Sequence, residues 1–160
     1  MAGLDDLYRE IILDHYRSPR NRGELAVPPA QRAEGFNPLC GDEIVVYVEV
    51  QSDRVADVKI GGQGCSISQA SASMMSAAVK GRTVLEARAV IRAFKALMSI
   101  HEHRLDADLP EDGDGDSEDA PPVALGDLEA LQGVVRFPVR IKCATLAWNT
   151  LAQGLDEAAS

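Results

Sequence analysis

A chain of 160 residues with only three cysteines is long enough to bury about two thirds of its unfolded surface in one domain without covalent staples, and so sparse and odd a set of thiols is not a secreted disulfide framework. Its 25 acidic and 16 basic residues give a formal net charge of -9, which argues against nucleic acid as a partner, because such binders draw affinity from Lys and Arg neutralising phosphates. No apolar run approaches the roughly 20 residues of a membrane-spanning helix, and residues 1–6 lack the basic and apolar regions of a secretory signal, so a cytoplasmic location without a membrane partner is expected.

In residues 4–16, Leu4, Leu7, Tyr8, Ile11 and Ile12 form one stripe of an amphipathic helix, stopped by Ser18-Pro19 and Asn21-Arg22-Gly23. Residues 24–39 are rich in Pro and Ala without a period, and 31–36 are read as a short added strand. Ile44, Val46, Val48 and Val50 then alternate with Glu43, Val45, Tyr47 and Glu49, and Ala56, Val58 and Ile60 with Val55, Asp57 and Lys59. These two runs predict a hairpin turning at 51–53 with one buried face. Gly61, Gly62 and Gly64 are expected to end its second strand, before a helix through Ile67, Met74 and Ala78 that stops at Gly81.

Thr83 and Glu86 have capping-box spacing ahead of a third helix, which carries Val84, Ala87, Ile91, Phe94 and Met98 on one face as far as about His101. Residues 105–122 hold Glu111, Asp112, Asp114, Asp116, Glu118 and Asp119 and no core residue. They are expected to be an acidic surface insertion in a single domain spanning 1–160. A short helix over 127–132 precedes a last helix opened by Pro138 and given apolar mass by Ile141, Leu146, Trp148 and Leu151 before Gly154. A helix, a hairpin and then helices, with no βαβ alternation, predict an α+β fold: a small three-stranded antiparallel sheet with helices packed on one face.

The chemistry-bearing residues fall in three separate segments. Cys40 sits on a turn flanked by Pro38 and Gly41, with Asp42 two residues on. Cys65 leaves a glycine-rich turn at a helix N-terminus, where orphan N–H groups and the helix dipole favour thiolate. Cys143 lies in the second turn of the last helix between Arg140 and Ala144, with Lys142 preceding it, and neighbouring cations lower a thiol's pKa. Three thiolates and a carboxylate suit a tetrahedral Zn²⁺ or iron site far better than Mg²⁺ or Ca²⁺, which want oxygen ligands. Each cysteine taken singly is equally a small buried hydrophobe, and without a Cys-x-x-Cys pair the spacing leaves both readings open.

Other signals fail. Gly62-Gln63-Gly64 lacks the third glycine and the βαβ setting of a dinucleotide fingerprint. The run from Asp112 to Asp116 opens like a calcium loop but has Ser117 and Val123 where Gly and Glu are required. His101 and His103, two apart, do not share a helix face.

Four segments together resemble the IscU/SufU (NifU N-terminal) family of iron–sulfur cluster assembly proteins, and within it the SufU branch. They are Leu7-Tyr8-Arg9-Glu10-Ile11-Ile12-Leu13-Asp14-His15-Tyr16 with Pro19-Arg20-Asn21; Asn37-Pro38-Leu39-Cys40-Gly41-Asp42; Gly62-Gln63-Gly64-Cys65-Ser66-Ile67-Ser68; and Arg140-Ile141-Lys142-Cys143-Ala144-Thr145-Leu146-Ala147-Trp148. The resemblance implies a SufE/NifU-like fold and a metal site made of Cys40, Asp42, Cys65 and Cys143. It implies Zn²⁺ in that site, with iron or a [2Fe-2S] cluster as the alternative for scaffold members. Lys142 stands where scaffold members have histidine, and Phe137-Pro138-Val139-Arg140 replaces their chaperone-read Leu-Pro-Pro-Val-Lys segment. The implied activity is that of a zinc-dependent sulfurtransferase, accepting persulfide sulfur from a SufS-type cysteine desulfurase and passing it to a downstream iron–sulfur scaffold or thiol carrier. Cys40, on the turn, is then the expected acceptor, Arg140 its helper, Cys65 and Cys143 the fixed side and Asp42 an exchangeable ligand.

Overall fold

A computed structural model describes residues 2–38, 40–105 and 126–159. Helix α1 (Ala2–Arg17) is followed by strands β1 (Gln31–Asn37), β2 (Asp42–Gln51) and β3 (Arg54–Gln63), then α2 (Ser66–Val79), α3 (Val84–Leu105), a 3₁₀ helix (Gly126–Arg136) and α4 (Pro138–Ala159). The acidic insertion expected over 105–122 lies, apart from Leu105, outside the described residues, as do the side chains of Leu4, Leu7, His101 and His103.

The strands form an antiparallel sheet in the order β1-β2-β3. Its register sets Ala33 opposite Val46 and Val46 opposite Ile60, so the period-two alternation delivers Ala33, Ile44, Val46, Val48, Val58 and Ile60 to one buried face. Arg32, Glu34, Glu43 and Asp53 remain in water. The β2–β3 turn is as tight as the two runs allow, with Ser52 and Asp53 both at positive φ, 52° and 62°, the pair that a type I′ hairpin requires. Helices α4 and α2 cover the buried face, with α1, α3 and the 3₁₀ helix packed behind them, which is the expected α+β arrangement.

At the centre, Trp148 is fully buried and stacked on Phe94 with centroids 4.4 Å apart and planes 15° from parallel, a contact worth about 0.5–1.5 kcal/mol beyond the area it buries. Its indole N–H donates to Ser71 Oγ at 2.9 Å, and the Ser71 hydroxyl donates to the Ala144 carbonyl at 2.6 Å. The small residues of α2 let its neighbours approach, and their hydroxyls are used. Ser73 Oγ accepts the Arg20 N–H at 2.8 Å and pairs with His15 Nδ1 at 2.8 Å, while Asn21 Nδ2 donates to Ser76 Oγ at 3.1 Å. His15, Arg20 and Asn21 thus tie the end of α1 to α2. The same stretch covers the outer edge of β3, where the Ile60 N–H bonds the Asn21 carbonyl and the Gly23 N–H the Ile60 carbonyl, removing an open strand edge.

Two glycine expectations are corrected. Helix α4 does not stop at Gly154 but runs on to Ala159; Gly154 is buried against the sheet, and a Cβ there would stand 3.0 Å from Val48 Cγ1. It serves close packing, as does Gly35 in β1, where a Cβ would meet Thr150 Oγ1 of α4 at 2.1 Å. Strand β3 likewise does not end at Ile60 but continues to Gln63, pairing Gly62 with Ile44 and Gln63 with Glu43. Gly62 has φ +105°, and a Cβ would lie 2.0 Å from the Glu43 carbonyl oxygen, so only glycine lets β3 run that far. The third helix also extends past His101 to Leu105, and the segment expected as a short helix over 127–132 is a longer 3₁₀ helix.

Candidate metal centre

The extra residues of β3, Gly61 to Gln63, decide where the second cysteine arrives. Because Gln63 pairs with Glu43, Gly64 and Cys65 pass directly over the start of β2. The Cys65 N–H donates to Asp42 Oδ1 at 2.9 Å, and a Cβ on Gly64 would fall 2.5 Å from the same oxygen. Cys65 is also the N-cap of α2, with Sγ accepting the Ser68 N–H at 3.4 Å, the helix-terminal setting expected from its glycine-rich approach.

Helix α4 brings Cys143 from the other side. Cys143 Sγ lies 3.2 Å from Cys40 Sγ, and among the described residues Cys40, Asp42 and Cys143 place one ligand atom each within 4.8 Å of one another. Cys65 touches this group through Cys143 without coming within that distance of all three. Three of the four residues picked out for metal therefore converge closely, and the fourth adjoins them. Cys143 and Asp42 are fully buried, whereas Cys40 is half-buried on its turn.

Asn37 had a place in the motif but no role. Its Nδ2 lies 3.3 Å from Asp42 Oδ2 and 3.7 Å from Cys143 Sγ, bridging two of the clustered groups from the end of β1. The signal was available: Ala33, Gly35 and Asn37 share the inward face by alternation, and an inward Asn beside a cysteine motif needs polar partners. Asp42 is hydrogen-bonded on both carboxylate oxygens, by Asn37 and by the Cys65 N–H.

The electrostatics reverse one expectation. Cationic neighbours were expected to lower the Cys143 pKa; it is instead pushed up, chiefly by burial, then by hydrogen bonding with Asp42 and Cys40 and by the negative charge of Cys65. Arg140 does face the cluster, its guanidinium held above its ordinary pKa by the charge of Cys65 first and then by Cys143 and Cys40. Lys142 points to solvent. One exposed cation does not offset the burial of several acidic groups, and a cation set among them would.

A small α+β protein with thiols and a carboxylate gathered from three chain segments is the class that fold and site define. The chain belongs to the family of NifU-like N-terminal domains, whose model matches residues 7–113. It is 44% identical over 154 residues, 96% of this chain and 92% of the relative, to the zinc-dependent sulfurtransferase SufU of Bacillus subtilis (strain 168). It is 34% identical over 160 residues, covering all of this chain and 89% of the relative, to the iron–sulfur cluster assembly scaffold protein IscU of Streptococcus pyogenes serotype M1. Among solved structures, a Fervidobacterium islandicum AW-1 protein assigned as an iron–sulfur cluster assembly scaffold for the SUF system matches with TM-score 0.70 and 28% identity, over 91% of this chain and 94% of that one. The family match ends before α4, so the segment carrying Cys143 is supported by the longer pairwise alignments. Among the described residues no helix is long and apolar enough to cross a membrane.

Proposed function

We propose that this chain is a zinc-dependent sulfur acceptor of cytoplasmic iron–sulfur cluster assembly, which takes persulfide sulfur from a SufS-type cysteine desulfurase and stimulates its turnover. The observation that carries the reading is the convergence of Cys40, Asp42 and Cys143 within 4.8 Å, with Cys65 alongside, in a chain so similar to a zinc-dependent sulfurtransferase. Soft thiolates with one carboxylate fit Zn²⁺. Cys40, Asp42, Cys65 and Cys143 are the proposed ligands. When bound, zinc supplies the positive charge that keeps the clustered thiols as thiolates.

The chain's own residues then divide the work. Cys40 is partly exposed on a turn and swings out with least disturbance. Its thiolate attacks the outer sulfur of the donor's cysteine persulfide: a new S–S bond forms at Cys40, the donor's S–S bond breaks, and the donor cysteine departs as thiolate, with no net oxidation. Asn37 and the Cys65 N–H hold Asp42 while Cys40 is away. Arg140 faces all three thiols and steadies the displaced Cys40 thiolate or a carboxylate of the donor. The sulfur then passes to a scaffold or thiol carrier.

The test is desulfurase turnover with parent, Cys40→Ser and Asp42→Ala proteins, with zinc content recorded for each. Parent protein is expected to raise turnover and Cys40→Ser to leave it at the basal rate; stimulation by Cys40→Ser equal to the parent's overturns the assignment. The scaffold reading, in which the same residues hold a [2Fe-2S] cluster, has support from the IscU relatives. Iron and acid-labile sulfide, rather than zinc, in protein purified without reconstitution would favour it.

A further inference from the structure

Beside the thiols runs a groove of about 750 Å³, walled by α1, the first turn of α2, the 3₁₀ helix and the start of α4. Its floor is apolar, with Ile12, Leu13, Ile67 and Val134. Arg140 belongs both to this wall and to the thiol cluster, and Ile67 follows Cys65 by two residues, so the groove abuts the proposed zinc centre.

Charge makes the groove unlike the rest of the chain. The protein carries a net charge of -9, yet among the described residues the groove is lined by two cations, Arg9 and Arg140, and by no carboxylate. Its lining includes Phe137, 63% exposed, and Val139, two residues on, is 60% exposed. An apolar trough with a basic rim that spills onto exposed large side chains is shaped for a polypeptide, because a small molecule would leave that outer surface uncovered.

We propose that this groove is the docking site of the persulfide donor, taken through a segment that lays apolar side chains along Ile12 and Val134 and presents a carboxylate to Arg9. The proposal rests on the sulfur-acceptor reading and adds to it where the donor is held. Seated here, the donor has its reactive sulfur beside the thiol cluster and its anchor beyond Arg140, on Arg9, Ile12 and Val134, which are not among the thiol cluster.

Two variants outside the thiol cluster test it. Arg9→Glu reverses the basic rim on an exposed position of α1. Gly133→Trp fills the groove from the 3₁₀ helix, where a Cβ meets nothing within 4 Å among the described residues, and the unfolding record checks that the fold is kept. Desulfurase stimulation is titrated with zinc-loaded parent, each variant and Lys95→Glu, an exposed control on α3, with thermal unfolding recorded for all. Both variants are expected to raise the half-saturating concentration about tenfold or more, with turnover at saturation within about twofold of the parent and the control unchanged. Added salt is expected to weaken the parent more than Arg9→Glu. Half-saturation unchanged in both variants overturns the docking site and leaves the sulfur-acceptor reading standing. Reduced turnover at unchanged half-saturation overturns it too, by making the groove part of the chemistry or a subsite for a small thiol. Slower hand-off to the downstream acceptor alone reassigns the groove to that protein. A parent that neither binds nor stimulates the desulfurase overturns the underlying function itself.

Discussion

The two halves of the thiol cluster are built in opposite ways. Asp42, Cys65 and Cys143 sit where chain segments cross at close range: β3 runs on through Gly62 to Gln63 and Gly64 follows over Asp42, the Cys65 amide closes on Asp42 at 2.9 Å, Asn37 links Asp42 to Cys143, and α4 lies close over Gly35 and sets its own Gly154 against Val48. Cys40 rides a turn whose Gly41, at φ +67°, has nothing within 4 Å of a Cβ among the described residues. Tightness on one side is obtained with glycines that let backbone approach side chain, and freedom on the other with a glycine that only bends the chain. A sulfur acceptor needs both, because one thiol must travel while the others stay.

That contrast is broken most severely at Gly62 and Gly64. In Gly64→Ala the new methyl would press on Asp42 Oδ1 at 2.5 Å and Asp42 Cα at 3.1 Å, and overpacking of this kind costs about 1–3 kcal/mol. Gly62→Ala is expected at or above the top of that range, since its obstacle is backbone and its φ is left-handed. Urea unfolding and metal competition measure both, with zinc affinity expected to fall by about 10–100-fold as Asp42 shifts. Asn37→Ala comes next. It takes a donor from two buried groups, expected to cost about 1–3 kcal/mol, with a smaller loss of zinc affinity than Gly64→Ala because the Cys65 amide still holds one Asp42 oxygen. Parent-like affinity in Gly64→Ala would mean that the crossing does not position the carboxylate.

The turn side should respond in reverse. Compared in zinc-free protein, Cys40→Ser is expected to cost less stability than Gly64→Ala, while sulfur acceptance is abolished; urea unfolding with mass spectrometry of the persulfidated protein reads both. Gly41→Ala is expected to cost about 1–2 kcal/mol through its left-handed φ, without a steric clash to relieve. If Cys40→Ser instead unfolds at much lower urea, Cys40 belongs to the frame and the division fails.

How much of this was legible depends on whether the cause is local. The hairpin was readable because two β-branched runs, 43–50 and 55–60, alternate across a short polar turn, and the candidate cluster because thiols and a carboxylate on bends and helix starts are chemically distinctive. The family resemblance then tied the four residues together. Gly62 and Gly154 misled because a glycine read locally is a terminator, whereas here each is dictated by an atom across a packing gap, Glu43 O and Val48 Cγ1; Gly64 does follow the strand's last residue, but its closeness to Asp42 Oδ1 is equally invisible locally. The pKa of Cys143 misled for a related reason. Arg140 and Lys142 are visible as charges in the sequence, but the burial that outweighs them is created by α4 settling onto Asn37 and Asp42, which no neighbouring residue announces.

The smallest expected effect lies away from the cluster, at the start of α3, and checks that stability and metal binding separate. The capping box forms as its spacing predicted: the Thr83 N–H donates to Glu86 Oε1 and the Glu86 N–H to Thr83 Oγ1, both at 3.1 Å. Thr83→Ala is expected to cost about 1 kcal/mol with zinc content unchanged. The backbone N–H of Thr83 first, and then its hydroxyl, hold the Glu86 carboxyl below its ordinary value of 4.5. A carboxyl lowered in the folded state binds fewer protons there than in the unfolded chain, so its contribution is complete above pH 4.5 and is lost as the pH falls through the lower folded value. Glu86→Gln has nothing to titrate. Its melting temperature should therefore lie slightly below the parent's at neutral pH and converge with it in acid; a gap that widens in acid would reverse the sign and remove Glu86 from the cap.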